Sequence, residues 1–235
     1  MLERKDYKAM DRLLPSYYFA LSCYAHREVF NSKEAVWNGL KNLKSYFSML
    51  SLGNIEVDIP AGVTVEDPHL ISIGKGTTIE PGAYIKGPCV LGPACVVRHG
   101  AYIRGYLLAG ERCVIGHDTE VKHSIFLNGV HAAHFNYVGD SILGNEVNLG
   151  AGTKCANLKL DQKPIFVSFL SQKIETGMKK LGAIMGDFCQ IGCNVVMNPG
   201  TCLGKEVECY PCVNISGFFP SGVSIKGEVQ VYHGG

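Results

Sequence analysis

The sequence predicts an all-β solenoid, a parallel β-helix of hexapeptide repeats that follows an N-terminal helical segment. The main observation is an apolar or small residue at every sixth position, and the second is a glycine that often follows it. The long run is Ile73, Ile79, Ile85, Leu91, Val97, Ile103, Ala109, Ile115, Val121, Leu127 and Ala133. A second run is Met185, Ile191, Met197, Leu203, Cys209 and Ile215, and a short offset run is Leu143, Leu149 and Cys155.

Small or β-branched side chains occupy the fourth position after most of these apolar residues. They are Thr77, Ala83, Cys89, Cys95, Ala101, Cys113 and Thr119. We expect both positions to point inward, and we expect the glycines to permit tight corners through their conformational freedom. Six of the ten cysteines fall on this pattern, which indicates core filling by free thiols. They are Cys89, Cys95, Cys113, Cys189, Cys155 and Cys209. We interpret the lone Cys209–Cys212 CxxC pair as structural too, because a zinc or redox site needs more context.

The flanks differ from the repeat. Residues 1–52 contain little glycine and show helical spacing at Trp37, Leu40, Leu43, Phe47 and Leu50. Asn31 or Ser32 is the expected cap of that helix, and Pro15 is expected to open an earlier one. We interpret this segment as a cap of the open solenoid end or a subunit contact rather than a ligand site.

Residues 53–235 should form the β-helix, with an insertion at 156–182 and a C-terminal tail. An insertion on one face of a solenoid often builds a binding face.

The composition excludes several functional classes. The 235 residues carry a net charge of +1 without a Lys/Arg cluster, which disfavours a nucleic-acid-binding surface. No apolar stretch approaches the roughly 18–20 residues of a membrane span, and the N-terminus has no signal-peptide pattern. We therefore expect a soluble cytoplasmic protein whose cysteines are not a disulfide framework.

Residues 131–163 carry the candidate chemistry. The six-residue phase breaks there, and polar side chains gather beside a Gly-Ala-Gly turn. They are His134, Tyr137, Asp140, Asn148, Asn157 and Lys163. Together they form the pattern HxxYVGD-x7-N-x-GAG-x4-N-x5-K, which is far more specific than the hexapeptide repeat.

This pattern resembles the acetyltransferase half of bacterial bifunctional UDP-N-acetylglucosamine pyrophosphorylase/glucosamine-1-phosphate N-acetyltransferase. It is also similar to archaeal sugar-1-phosphate nucleotidyltransferases with an acetyltransferase tail, including the ETGMKKLGAIMGD stretch. The resemblance covers roughly residues 55–215 and implies left-handed coils of about 18 residues, three hexads each. The LxxGxGTRmxPxxPK-like signature of the nucleotidyltransferase domain is missing, so we expect no nucleotidyl transfer by this chain.

The resemblance assigns roles to individual residues. His134 would be the general base, with the Ala151 amide polarising the acetyl carbonyl and Asn157 completing the catalytic group. The substrate would be bound by Arg98, Lys122, Tyr137, Asn148 and Lys163. Cys193 and Pro211 would line the acetyl-CoA groove beside Ala151, where the family has serine and alanine. Judged by residue type alone, each could instead be an ordinary loop or surface residue, since such side chains often only satisfy nearby backbone groups.

The chemistry suits amide formation. A histidine can remove the proton that an attacking amine must lose, and a fixed N–H can stabilise the oxyanion. The expected activity is acetyl-CoA-dependent N-acetylation of an amino-sugar 1-phosphate, with glucosamine 1-phosphate as acceptor, no metal and a homotrimeric assembly.

Two alternatives remain open. One is a non-catalytic trimerising or regulatory partner of a separate nucleotidyltransferase chain, and the other is an O-acyltransferase acting on a sugar nucleotide. A zinc site at His117, His123 and His131 is disfavoured, because the resembling zinc enzymes of this fold space two of their histidines differently.

Overall fold

The computed structural model describes residues 10–169 and 172–227. They form a left-handed parallel β-helix with three faces, each a sheet of eight strands, and this confirms the predicted fold class. The chain passes from face 1 to face 2 to face 3 and back to face 1, so each face receives one strand per coil.

The strands are short, and each pairs with the strand one coil before and one coil after it. Face 1 contains β1 (Thr64–Glu66), β4 (Tyr84–Lys86), β7 (Tyr102–Ile103), β10 (Glu120–Lys122), β13 (Tyr137–Gly139), β16 (Lys154–Cys155), β21 (Val196–Met197) and β24 (Asn214–Ile215). Face 2 contains β2 (Ile71–Ile73), β5 (Cys89–Leu91), β8 (Leu107–Ala109), β11 (Ser124–Phe126), β14 (Ile142–Leu143), β19 (Ala183–Met185), β22 (Thr201–Leu203) and β25 (Phe218–Phe219). Face 3 contains β3 (Thr78–Ile79), β6 (Val96–Val97), β9 (Val114–His117), β12 (His131–His134), β15 (Asn148–Leu149), β20 (Gln190–Ile191), β23 (Glu208–Cys209) and β26 (Ser224–Ile225).

The predicted inward positions form the core of the coils as far as Val121, and the second and third runs are also inside. The prediction is wrong for the last two members of the long run. Phe126 and Ala132 take the interior places, while Leu127 packs outside the coil and Ala133 is half-exposed. The cause is a corner shortened by one residue between Val121 and Phe126, and a second such corner lies between Val138 and Leu143.

The cysteine prediction is confirmed for all six core fillers, which are buried. Cys202 is a seventh buried cysteine, in the outer core on face 2. Burial raises the pKa of the Cys155 thiol to about 12, so that thiol stays protonated. In the CxxC pair Cys209 is buried and Cys212 is exposed, and both are free thiols.

The glycines directly after the apolar residue act by leaving space rather than by conformational freedom. Gly116 is typical: a Cβ there would strike the backbone of Ala133 in the next coil, and its φ is not positive. The left-handed backbone positions lie two residues further along the corners and are often not glycine, as at Ala94, Arg112 and Glu146. The expectation that glycine is needed for its φ is therefore wrong for the glycines directly after the apolar residue, whereas corner glycines such as Gly76 and Gly100 do adopt a positive φ.

From residue 10 onward, the N-terminal segment contains two 3-10 turns (Asp11–Leu13 and Arg27–Val29) and two α-helices, α1 (Pro15–Tyr18) and α2 (Asn38–Met49). A third 3-10 turn, Pro68–Leu70, belongs to the first coil. Pro15 begins α1 as predicted, but α2 begins after Trp37 rather than after Asn31 or Ser32.

This segment lies along the flank of the solenoid, not across its end as one expectation had it. Leu40, Leu43 and Phe47 pack on outward-facing residues of face 2, such as Leu108 and Ile125.

The insertion packs on the same flank. It contains an antiparallel pair, β17 (Phe166–Phe169) and β18 (Gln172–Glu175), and the Phe169 ring meets Phe218 edge-on at 4.8 Å. The C-terminal tail supplies β25 and β26 to the last coil, and residues 228–235 lie outside the described residues. No helix in the described ranges is long and apolar enough to cross a membrane.

Candidate functional site

Four of the predicted site residues stack at the corner between faces 3 and 1. His134, Ala151, Cys193 and Pro211 occupy this corner in successive coils, as the strand register of face 3 requires. The coils are joined there by backbone hydrogen bonds, such as Gly152 N–H to the His134 carbonyl oxygen at 3.1 Å. The same register places His117 one coil and His99 two coils before His134. We call this row of six residues the corner column.

His134 ends β12 with an exposed side chain. Its backbone N–H donates to Asn136 Oδ1 at 3.2 Å, and Asn136 Nδ2 donates to the Gly150 carbonyl oxygen at 2.8 Å. The buried Asn136 thus ties the His134 corner to the corner of Ala151. The Ala151 N–H makes no hydrogen bond within residues 10–169 and 172–227, so it is free to donate to a ligand. Sequence reasoning missed Asn136.

Face 1 carries a polar cluster beside this column. The Tyr137 hydroxyl donates to Asn157 Oδ1 at 3.4 Å, and Asn157 Nδ2 donates to Asp140 Oδ2. Lys122 Nζ lies 3.0 Å from Asp140 Oδ2. His123 Nδ1 lies 3.0 Å from Asp140 Oδ1, close enough to pair although the angle is poor for a hydrogen bond. These contacts bring Tyr137, Asn157 and Lys122 together around the Asp140 carboxylate, which is 7% exposed.

The cluster fixes the charge state of its members. Burial by itself would raise the pKa of Asp140, but contacts with His123, Asn157 and Lys122 outweigh it and lower that pKa. Burial, followed by the nearby Glu120 and Asp140 carboxylates, raises the pKa of Tyr137. Asp140 is therefore an anion and Tyr137 a neutral hydrogen-bond donor at neutral pH.

A cavity of about 450 Å³ opens at the next corner, between faces 1 and 2. It is lined by Leu40, Lys41, Lys44, Arg104, Gly105, Tyr106, Lys122, His123, Asp140 and Met178. Arg104 lies one coil before Lys122 on face 1, and its guanidinium pairs with Glu120 at 2.6 Å. Sequence reasoning missed Arg104, although its distance of 18 residues from Lys122, one full coil, is visible in the sequence.

Three predicted substrate residues lie elsewhere. Arg98 is half-buried at the end of face 3, in the row of Gly116 and Ala133, and does not line the cavity. Lys163 is exposed in the insertion, where its backbone N–H donates to Asp161 Oδ1. Asn148 projects from face 3 into a separate cleft of about 270 Å³ that Pro211 also lines.

The three histidines of the disfavoured zinc site lie apart. His131 and His117 are on face 3, at different positions along their strands, whereas His123 faces the cavity at the far edge of face 1. Within the described ranges, no three His, Cys, Asp or Glu side chains are grouped to hold a metal ion.

Comparison with known proteins identifies the family. Residues 71–105 match the family described as "Bacterial transferase hexapeptide (six repeats)". The chain is also similar to an Escherichia coli protein named "Uncharacterized acetyltransferase YaiX", 30% identical over 191 residues that span 80% of this chain and 83% of that protein. The chain belongs to the hexapeptide-repeat transferase family.

Other relatives match over a shorter stretch. A "Bifunctional sugar-1-phosphate nucleotidylyltransferase/acetyltransferase" of Sulfurisphaera tokodaii is 41% identical over 92 residues, which are 39% of this chain and 23% of that protein. A "Bifunctional protein GlmU" of Methanocaldococcus jannaschii is 42% identical over 88 residues, 37% of this chain and 21% of that protein. The chain thus matches less than a quarter of the length of these archaeal relatives, consistent with their acetyltransferase half alone.

Proposed function

We propose that the protein is an acetyl-CoA-dependent N-acetyltransferase that acts on an amino-sugar 1-phosphate, with glucosamine 1-phosphate as the acceptor. The observation that supports this most is that His134 and Ala151 lie in adjacent coils of the corner column, and that the Ala151 N–H makes no hydrogen bond within the described residues. A base and an N–H donor in adjacent coils suit the attack of an amine on a thioester. The names of the relatives, an acetyltransferase and two bifunctional proteins, agree with this chemistry.

The corner column fits acetyl-CoA as co-substrate. The free Ala151 N–H needs an acceptor, and the cleft that Asn148 lines reaches the corner column at Pro211, two coils after Ala151. Acetyl-CoA supplies the acetyl thioester when bound. In this proposal His134 accepts the proton that the sugar amine loses as its nitrogen bonds to the acetyl carbon, and the Ala151 N–H donates to the acetyl oxygen as negative charge develops on it. The carbon–sulfur bond then breaks, and CoA leaves as the thiol after taking a proton. Removing such a donor typically costs about 3–4 kcal/mol of transition-state stabilisation.

Face 1 would hold the acceptor. In this proposal Tyr137 and Asn157 bind sugar hydroxyls, since their side chains are fixed by the Asp140 cluster. Lys122 and Arg104 would bind the phosphate as cations in the cavity beyond. In this arrangement Arg104 takes the role that the resemblance gave to Arg98, because Arg104 and not Arg98 lines the cavity.

The test is product analysis by mass spectrometry. The purified protein is incubated with acetyl-CoA and, separately, glucosamine 1-phosphate, glucosamine 6-phosphate and glucosamine. We expect N-acetylated product from glucosamine 1-phosphate at the highest rate. Product from none of the three acceptors would contradict the proposal, and acetylation of a hydroxyl in place of the amine would favour O-acetyl transfer.

We also propose a homotrimer, because the corner column is open to solvent in a single chain and a neighbouring solenoid could close the acetyl-CoA cleft. A separate nucleotidyltransferase chain is the proposed metabolic partner, since the relative from Sulfurisphaera tokodaii carries both activities in its name.

A further inference from the structure

The cationic cavity has a wall that does not belong to the β-helix. Lys41 and Lys44 of α2 line it opposite Arg104 and Lys122. The two lysines are three residues apart, so they project from one side of the helix. The Lys44 ammonium also lies 5.4 Å from the centre of the Tyr106 ring, at the cavity wall.

Packing holds α2 at this place. Leu40 and Leu43 are fully buried against the outer side of face 2, and the Phe47 ring meets Tyr106 edge-on at 5.7 Å. The helix is fixed on both sides of its lysines, so their positions at the cavity follow from the buried core of the N-terminal segment. A helix face that only met solvent would not need to be held beside the cavity by packing on both sides.

The charges in the cavity do not balance. Four cationic side chains line it, against the single carboxylate of Asp140. Asp140 is engaged by Lys122, and Arg104 is paired with Glu120 from the neighbouring coil. Lys41 and Lys44 form no ion pair within the described part of the chain, which leaves two positive charges for a ligand.

We propose that α2 completes an anion subsite in which Lys41 and Lys44 bind the phosphate monoester of the acceptor, on the side opposite Arg104 and Lys122. A phosphate monoester carries nearly two negative charges at neutral pH and three acceptor oxygens, which match the two unpaired ammonium groups. This inference rests on the proposed function and names α2, expected from the sequence to be a capping or packing element, as part of the acceptor site.

The first measurement is calorimetric binding of inorganic phosphate and of glucosamine 1-phosphate to the full-length protein. The variant Lys41→Met/Lys44→Met removes both charges and keeps the aliphatic stems that pack on the helix. The matched control is Lys33→Met/Lys75→Met, which removes the same charge from exposed sites outside the cavity. Thermal unfolding of all three proteins verifies that the fold is retained.

We expect the Lys41→Met/Lys44→Met variant to lose at least about tenfold in affinity for both probes, because two charge-assisted bonds are lost. The control should stay within about twofold, since distant exposed charges are screened. Unchanged affinity in the Lys41/Lys44 variant, or no binding of either probe to the wild-type protein, overturns the inference.

Acetyl-transfer kinetics separate this inference from the proposed function. The Lys41/Lys44 variant should show a raised KM for glucosamine 1-phosphate, with kcat and the KM for acetyl-CoA unchanged. If the wild type transfers no acetyl group but binds phosphate through these lysines, the function fails and the subsite stands. If the wild type is active and the variant has an unchanged acceptor KM, the function stands and the subsite fails.

Discussion

At Asp140, three polar side chains meet a carboxylate that is nearly withdrawn from solvent. Lys122 and Asn157 both contact Oδ2, while His123 approaches Oδ1. Asp140 and His123 themselves adopt positive φ values, at the two shortened corners. Such strained positions are retained only where the surroundings fix them, and here they bring Lys122 and Asn157 to one carboxylate. The sequence named Asp140 within its motif but gave it no role.

The first prediction concerns stability against pH. Because the folded-state pKa of Asp140 lies below its ordinary value of 3.8, its contribution is complete above that value and is lost as the pH falls through the folded-state pKa. Asp140→Asn should lower the free energy of unfolding near neutral pH by about 1–3 kcal/mol.

The variant should also weaken the decline of stability as the pH falls below about 4. Urea unfolding across this range measures it. Asp58→Asn, at an exposed site, is the control and should retain the wild-type slope. Parallel curves for the wild type and Asp140→Asn would contradict the account.

The second prediction concerns the cysteines. Seven of the ten are buried as free thiols, and burial raises the pKa of Cys189 and Cys202 to about 12. A thiol reagent should therefore modify Cys23, Cys193 and Cys212 in the native protein and all ten cysteines after denaturation. Mass spectrometry counts the modified residues, and rapid native labelling of Cys155 or Cys189 would show that the coil interior is not as described.

At the scale of the elements, the corners set the geometry of the site. Each β-helix corner brings a residue of one coil against the backbone of the next, and this contact selects glycine where the approach is closest. At Gly116 an added Cβ would meet Ala133, the residue just before His134. The corner at Gly76 has a positive φ but open space around it.

These two glycines provide the third prediction. Gly116→Ala should lower the free energy of unfolding by about 1–3 kcal/mol, because it forces backbone to shift in two coils. Gly76→Ala places a side chain at an unfavourable φ but in open space, so it should lower the free energy of unfolding by about 1–2 kcal/mol. Thermal or urea unfolding compares them, and a larger loss for Gly76→Ala would mean that conformational freedom matters more at these corners than close approach.

Sequence periodicity predicted the coils and failed where two adjacent residues are equally apolar. The shortened corner moves the interior place from Leu127 to Phe126 and from Ala133 to Ala132, and in each pair both members suit a core. Periodicity therefore cannot detect a single missing residue there. The position of α2 on face 2 depends on contacts between distant residues, so its lysines could not be assigned to the cavity from the sequence.

At the scale of the whole molecule, two site surfaces lie at the two edges of face 1. The corner column is on one edge, the cationic cavity is on the other, and Tyr137 and Asn157 lie between them. Strand β13, at about 3.3 Å per residue, is short enough for one sugar phosphate to reach from the corner column toward the cavity. In the proposed function the acceptor would lie across this face, with its amine beside the corner column and its phosphate on the side of the cavity.

The fourth prediction concerns assembly. Light scattering coupled to size-exclusion chromatography should give a mass three times that of the 25.5 kDa chain. We expect this because a neighbouring solenoid would close the cleft lined by Asn148 and Pro211. A monomer that acetylates the acceptor at full rate would show that one chain forms the complete site.

The central claim is that His134 is the base of an N-acetyl transfer. The most direct measurement compares kcat for acetylation of glucosamine 1-phosphate in the wild type, His134→Ala and His117→Ala. His117 is the matched control, because it occupies the same corner one coil earlier and its ring stacks on His99. We predict that His134→Ala lowers kcat by about 10²–10⁴-fold and that His117→Ala leaves it nearly unchanged. Equal kcat values for His134→Ala and the wild type would contradict the account.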